Sequence, residues 1–121
     1  LAAPAASDPA VLRQGGDTIA DAAVIASLPF SDTGTTIGYT DDYDEDCPWG
    51  SNSPDVVYSF TPSYTRHLTF GLCRSDYDTK IYIYEDVCAG TPIACNDDTL
   101  MVDCPGSYGT YRSLLVCVSM Q

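Results

Sequence analysis

The chain has 121 residues, of which 17 are acidic and 5 are basic, so its formal net charge at pH 7 is −12 and its pI is about 4.1. This length fits one domain with room for a tail. The excess of carboxylates disfavours nucleic acid and anionic membranes as partners, because both need clustered Lys and Arg, and it favours cations such as calcium. No apolar run approaches the roughly 20 residues of a membrane-spanning helix, so we expect no membrane insertion.

The cysteines indicate an exported protein. There are 6, an even number with no Cys-x-x-Cys pair, and they predict three disulfides formed in an oxidising compartment. Cys88 and Cys95 bracket a short loop between two predicted strands, so we expect them to be paired. A free reactive thiol pair is the alternative reading. The two remaining pairs are then predicted as Cys47–Cys73 and Cys104–Cys117.

Residues 1–16 are rich in Ala and Pro and end in Gly15-Gly16, which predicts an extended arm on a flexible joint. Pro4 and Pro9 prevent a continuous helix. We predict a division into this arm and a β-sandwich domain over residues 17–121. The arm is either a disordered linker or a segment that docks on another subunit, and its apolar residues Leu1, Val11 and Leu12 favour docking.

The rest of the chain predicts short strands and no convincing helix. Alternating apolar and polar residues are typical of half-buried strands, and Gly, Pro and Asp separate the runs. His67 falls on the outward face of one run, so we expect it to be exposed. The predicted strands, about seven in all, are Ala22–Leu28, Phe30–Thr36, Asp55–Thr61, Arg66–Cys73, Thr79–Tyr84, Ile93–Cys95 and Ser113–Ser119.

An acidic loop over residues 38–54 is the strongest local charge feature. It has no EF-hand pattern, so it is either a solvated loop or an irregular cation site. Asp97 and Asp98 end the hairpin Thr79–Cys95, where they cap a turn or join a cation site. The tentative calcium ligands are therefore Asp41, Asp42, Asp44, Asp97 and Asp98.

Trp49, the only tryptophan, lies in the same acidic loop. We interpret it as a cap over the core, because buried aromatic residues beside disulfides are common in small secreted folds. A surface platform that stacks on sugar is the alternative.

Several blocks, taken in order, carry a family resemblance. They are Gly16–Ala22, Leu28–Thr36, Asp41–Asp44, Ser53–Pro62 (SPDVVYSFTP), Tyr77–Tyr84 (YDTKIYIY) and Ala94–Asp98 (ACNDD). Together they resemble the bacterial pre-peptidase C-terminal (PPC) type of domain over about residues 16–118. The resemblance implies a jelly-roll-like antiparallel β-sandwich at the bacterial cell surface, usually a non-catalytic appendage, in some cases binding calcium, collagen or polysaccharide.

Domains of that family usually continue beyond the strand that matches Ser113–Ser119, so we expect a sandwich that lacks its final strands, unless the sequence is a fragment. An open edge invites another chain. With one His and no nucleophile arrangement, we predict a non-catalytic subunit of an extracellular filament, in which each arm is donated to the neighbouring subunit. The alternative is a carbohydrate- or matrix-binding accessory module of a secreted enzyme.

Overall fold

The computed structural model describes residues 15–47, 49–75, 77–85, 92–98 and 113–120. These residues contain short strands, one 3₁₀ turn at Ile19–Asp21 and no α-helix, which confirms the all-β class. None of them belongs to a helix long and apolar enough to cross a membrane. The strands are β1 (Ala23–Val24), β2 (Tyr58–Ser59), β3 (Arg66–Gly71), β4 (Ile81–Ile83), β5 (Ala94–Asn96) and β6 (Leu114–Met120).

The chain divides into two compact units. The first unit comprises residues 1–43 and 52–61, and the second comprises residues 44–51 and 62–121. In the first unit β1 and β2 run parallel, with Ala23 opposite Tyr58. The Tyr58 ring meets Phe30 edge-on at 5.6 Å, and its hydroxyl donates a hydrogen bond to Asp32 at 3.0 Å.

Gly16 is the point where the N-terminal end of the described chain is fixed to the first unit. Its backbone N–H and C=O both bond to Val57 at 2.8 Å, so the expected Gly-Gly joint is held in a β-bridge. The 3₁₀ turn folds back over this position, and a Cβ on Gly16 would lie 2.0 Å from the Asp21 carbonyl oxygen. Only glycine fits there, because backbone atoms cannot move aside. The division at residue 16 stays a prediction, and residues 1–14 lie outside the described residues.

In the second unit β3 pairs with β6 in antiparallel register, from Arg66 opposite Met120 to Gly71 opposite Leu114. A bulge interrupts the pairing between Leu68 and Phe70. Burial alternates along β3, and His67 is exposed, as its place in the alternation predicts.

The predicted hairpin is also present in the second unit. β4 and β5 pair antiparallel, with Ile81 opposite Asn96 and Ile83 opposite Ala94, and β5 lies against β6. Two strands alone are marginally stable, and further contacts are needed to hold them.

Few apolar side chains are buried among the described residues. They are Tyr39 in the first unit and Ile83 in the second, at 6% and 8% exposure. Such a thin core makes cross-links and outside contacts important to stability. A jelly-roll sandwich is not formed by the described strands and stays a prediction.

Three predicted strands differ clearly from the structure, and one of them, Ala22–Leu28, shortens to the two residues of β1. Residues Phe30–Thr36 form no strand, because short polar side chains there bond to the nearby backbone instead of a neighbouring strand. The Thr33 N–H donates to the Asp32 carboxylate at 2.9 Å, and the Ile37 N–H donates to the Thr35 hydroxyl at 3.1 Å. The strand predicted over Asp55–Thr61 shortens to β2 and the bridge at Val57.

Two of the three predicted disulfides are wrong, and the third, Cys104–Cys117, is not tested by the described residues. Cys47 bonds to Cys95, with their Cα atoms 6.2 Å apart, so neither Cys88–Cys95 nor Cys47–Cys73 exists. Cys73 is disulfide-bonded as well, to a cysteine other than these two. The side chains of Cys88, Cys104 and Cys117 lie outside the described residues. The Cys47–Cys95 bond spans 48 residues and ties the acidic loop to β5.

Candidate functional site

The chemistry-bearing side chains of the second unit converge where β5 ends. Asp78, Asp97 and Asp98 each place one carboxylate oxygen within 4.8 Å of the other two, and we call this group the acidic corner. Asp97 is half-buried and the other two are exposed. Loss of some hydration, helped by the charges of Asp97 and Asp78, raises the pKa of Asp98 above its ordinary value. The cluster therefore concentrates negative charge on a small surface, as a cation site does.

A buried polar network holds the two sides of the acidic corner together. Ser113 has no exposed surface, and its hydroxyl lies 2.7 Å from the carbonyl oxygens of both Thr79 and Asp97. A hydroxyl has one proton, so it donates to one of these carbonyls at a time. In addition, the Ser113 N–H donates to the Thr79 hydroxyl at 3.0 Å. Ser113 thus fixes the distance between the start of β4 and the end of β5.

Lys80 supplies positive charge to the acidic corner. Its ammonium lies 3.5 Å from an Asp97 carboxylate oxygen, and the two side chains are only 10% and 14% exposed. The same ammonium donates to the backbone carbonyl of Trp49 and lies 6.0 Å from the centre of the Tyr82 ring. Lys80 therefore links the acidic corner to the loop that carries Trp49.

Two tyrosines of the hairpin hold the acidic loop from the other side. The Tyr82 hydroxyl accepts a hydrogen bond from the Glu45 N–H and donates to the Glu45 carbonyl, both at 3.1 Å. Tyr84 donates to the Glu45 carboxylate. Burial raises the pKa of Tyr82, and the charges of nearby acids add to this shift. Because Cys95 lies opposite Tyr82, anchoring Glu45 at this tyrosine brings Cys47 within reach of Cys95.

Trp49 is 68% exposed, so its interpretation as a core cap is wrong. The Cys47 N–H donates to the Trp49 carbonyl at 3.2 Å, and with Lys80 this bond fixes the backbone while the indole faces solvent. An exposed tryptophan on a backbone held in this way is typical of a surface that stacks on a flat ligand.

The five tentative calcium ligands do not come together as one described group. Asp97 and Asp98 join Asp78, which was not among them, whereas Asp41 and Asp42 belong to the first unit and Asp44 to the second. Asp78 could have been found from the hairpin register, since antiparallel pairing brings the start of one strand beside the end of the other. A calcium ion at any of these residues stays a prediction.

In the first unit several carboxylates accept hydrogen bonds from backbone N–H groups of other residues in the same unit. Asp17 accepts a hydrogen bond from the Thr40 N–H at 2.7 Å. The Thr40 hydroxyl has one proton, so it donates either to Asp17, at 2.9 Å, or to Asp42. Asp55 accepts from the N–H groups of Asp42 and Tyr43, both at 3.0 Å. The part of the acidic loop that belongs to this unit is therefore organised by carboxylates that accept hydrogen bonds from the backbone.

No known protein family, no curated protein and no solved structure matches the chain. The resemblance to PPC-type domains therefore stays a prediction.

Proposed function

We propose that this chain is a non-catalytic, secreted structural subunit that assembles with copies of itself into an extracellular filament through its N-terminal arm. The observation that carries the proposal is a set of large apolar side chains of the first unit that are exposed to solvent. Val24 and Ile37 are 76% and 81% exposed, and Phe30 and Ile19 are also exposed. On a chain with net charge −12, such side chains gain more from a covering partner than from solvent.

The strand pairing supports the same proposal. In the part of the chain that the structure describes, each sheet has two strands, so each strand has one edge along which no described strand lies. Unpaired edges recruit further strands, and a contact between an edge and a donated segment is head-to-tail. Head-to-tail contacts that do not close into a ring extend into a fibre.

Light scattering over a concentration series tests self-assembly. Like-charged subunits repel, so we expect the scattering mass to grow from 13.0 kDa with protein concentration and to grow further with added salt, which screens the repulsion. A variant that lacks residues 1–14 should keep its disulfides and stay monomeric. A constant monomer mass for the intact chain, at high concentration and at every salt level, would contradict the proposal.

The second candidate function is binding of carbohydrate or a matrix protein, and exposed Trp49 favours it. An indole face stacks on a sugar ring, while the nearby carboxylates of the acidic corner accept hydrogen bonds from sugar hydroxyls. Because Trp49 is the only tryptophan, its fluorescence reports directly on this surface.

A glycan series titrated against Trp49 fluorescence tests the second candidate. We expect a saturable fluorescence change with at least one neutral polysaccharide, and loss of binding to a glycan array in Trp49→Ala. Tyr64→Ala is the matched control, since Tyr64 is a similarly exposed aromatic of the same unit, at 61%. Equal glycan retention by both variants would exclude Trp49 as the binding platform.

A further inference from the structure

The two edges of β2 differ in their hydrogen bonding. The N–H and C=O of Val57 both bond to Gly16, and the Ser59 carbonyl accepts from the Ile25 N–H at 2.8 Å. The backbone groups of alternate residues in a strand point to the same edge, so these bonds all lie on one edge. We call it the inner edge of β2. β2 itself is Tyr58–Ser59, with Val57 before it as a bridge residue, so the opposite, outer edge carries the backbone groups of Tyr58, flanked by those of Val56 and Phe60 just outside the strand.

The outer edge is open over the described part of the chain. No described residue donates a backbone hydrogen bond to Val56, Tyr58 or Phe60 there, or accepts one from them. The side chains beside it contribute an apolar surface, because Tyr58 packs against Phe30, which is 46% exposed. This combination of free backbone groups and apolar side chains is what a strand added by β-augmentation requires.

The inner edge has no room for the N-terminal arm. The bridge of Gly16 to Val57 is antiparallel, so a strand continuing back to Gln14 would lie opposite Ser59. That place is taken by β1, whose following residue Ile25 bonds to the Ser59 carbonyl. The backbone turns at Gly15, with φ of 72°, and the inner edge passes from Gly16 to β1.

We propose that the outer edge of β2 accepts residues 1–14 of a second copy as an added strand. This inference rests on the proposed self-assembly and names its contact surface. The segment carries Asp8 and Arg13 as its only charged side chains, so the −12 charge of the chain belongs to the other residues, and the segment adds no repulsion. Fourteen extended residues reach about 46–50 Å, which is enough to leave their own unit.

Photo-crosslinking of the full chain tests this contact. One preparation carries Leu12→p-benzoylphenylalanine, and the other is uniformly labelled with ¹⁵N and unsubstituted. The two are mixed, assembled and irradiated. We expect cross-linked peptides that join residue 12 of the unlabelled chain to residues 55–61 of the labelled chain. Cross-links within one isotopic chain, or to another segment of the neighbour, would overturn the inference while leaving self-assembly in place.

Paired proline variants test the same strand pairing without a probe. Leu12→Pro removes an N–H from the added strand and should raise the concentration needed for assembly about tenfold, the effect of one lost backbone hydrogen bond and its packing. Ala3→Pro, at the other end of the segment, should have a smaller effect. Both variants should keep the unfolding temperature of the isolated chain. Equal assembly of the two variants would overturn the inference, and absence of assembly in the unsubstituted chain would overturn the proposed function as well.

Discussion

The disulfide between Cys47 and Cys95 makes a large and measurable contribution to stability. Its partners are 48 residues apart, and the chain-entropy relation assigns a loop of that size about 4 kcal/mol of unfolding free energy. For 121 residues, an unfolding entropy of about 2.1 cal/mol/K per residue turns this loss into a fall of about 16 °C in the melting temperature.

Scanning calorimetry of the double variant Cys47→Ala/Cys95→Ala checks this value without leaving a free thiol. Ser53→Ala is the control, because this exposed serine should change stability by less than about 0.5 kcal/mol. Non-reducing peptide mapping with a protease that cuts before Ile93 separates Cys88 from Cys95 and identifies the partner of Cys95. A melting temperature lowered by less than about 5 °C, or a mapped Cys88–Cys95 bond, would refute the reasoning.

Four further predictions follow from the geometry. Gly16→Ala should destabilise the first unit by about 3 kcal/mol or more in denaturant unfolding, because its methyl group meets the Asp21 backbone, and unchanged stability would show that the turn does not fold over Gly16. Ser113→Ala should cost about 1–3 kcal/mol by leaving buried carbonyls unsatisfied, and a cost near zero would show that this network does not hold the acidic corner. Burial and the hydrogen bond to Asp32 raise the pKa of Tyr58, so the stability that this hydroxyl contributes is complete below its unfolded pKa of about 10 and is lost as pH rises above that value. In unfolding experiments across pH 9–12, Tyr58→Phe should therefore lose less stability at alkaline pH than the unsubstituted chain. Equal losses in the two proteins would contradict the hydrogen bond. If the acidic corner binds calcium, a chelator should lower the melting temperature, and Asp97→Asn should abolish this effect. A melting curve that the chelator leaves unchanged would contradict calcium binding.

Strands in which apolar and polar residues alternate strictly could be predicted from the sequence. Arg66–Gly71 alternates burial as the residue pattern indicates, and the hairpin of β4 and β5 follows from β-branched and aromatic residues flanking a Gly- and Pro-containing loop. In Phe30–Thr36 the same kind of pattern failed, because Asp and Thr side chains competed for the backbone. The alternation of apolar and polar residues alone does not show whether side chains will compete for the backbone hydrogen bonds.

The Cys47–Cys95 disulfide could not be predicted from the sequence, because it depends on tertiary contacts. Closeness in sequence favoured Cys88 for Cys95, but Tyr82 and Tyr84 hold Glu45 against the hairpin and bring Cys47 to Cys95. The exposure of Trp49 also depends on a tertiary contact, since Lys80 bonds to the Trp49 carbonyl and fixes the backbone of its loop. The acidic corner could be predicted only in part. Asp97 and Asp98 could be placed at the end of the hairpin from the sequence, whereas placing Asp78 beside them requires the register of the strand pairing.

Electron micrographs of the purified full chain, at rising concentration and physiological salt, test the central claim of self-assembly most directly. We expect fibres whose length and number grow with protein concentration and which disappear when residues 1–14 are removed. Uniform single particles of the intact chain at every concentration, with the disulfides formed, would contradict it.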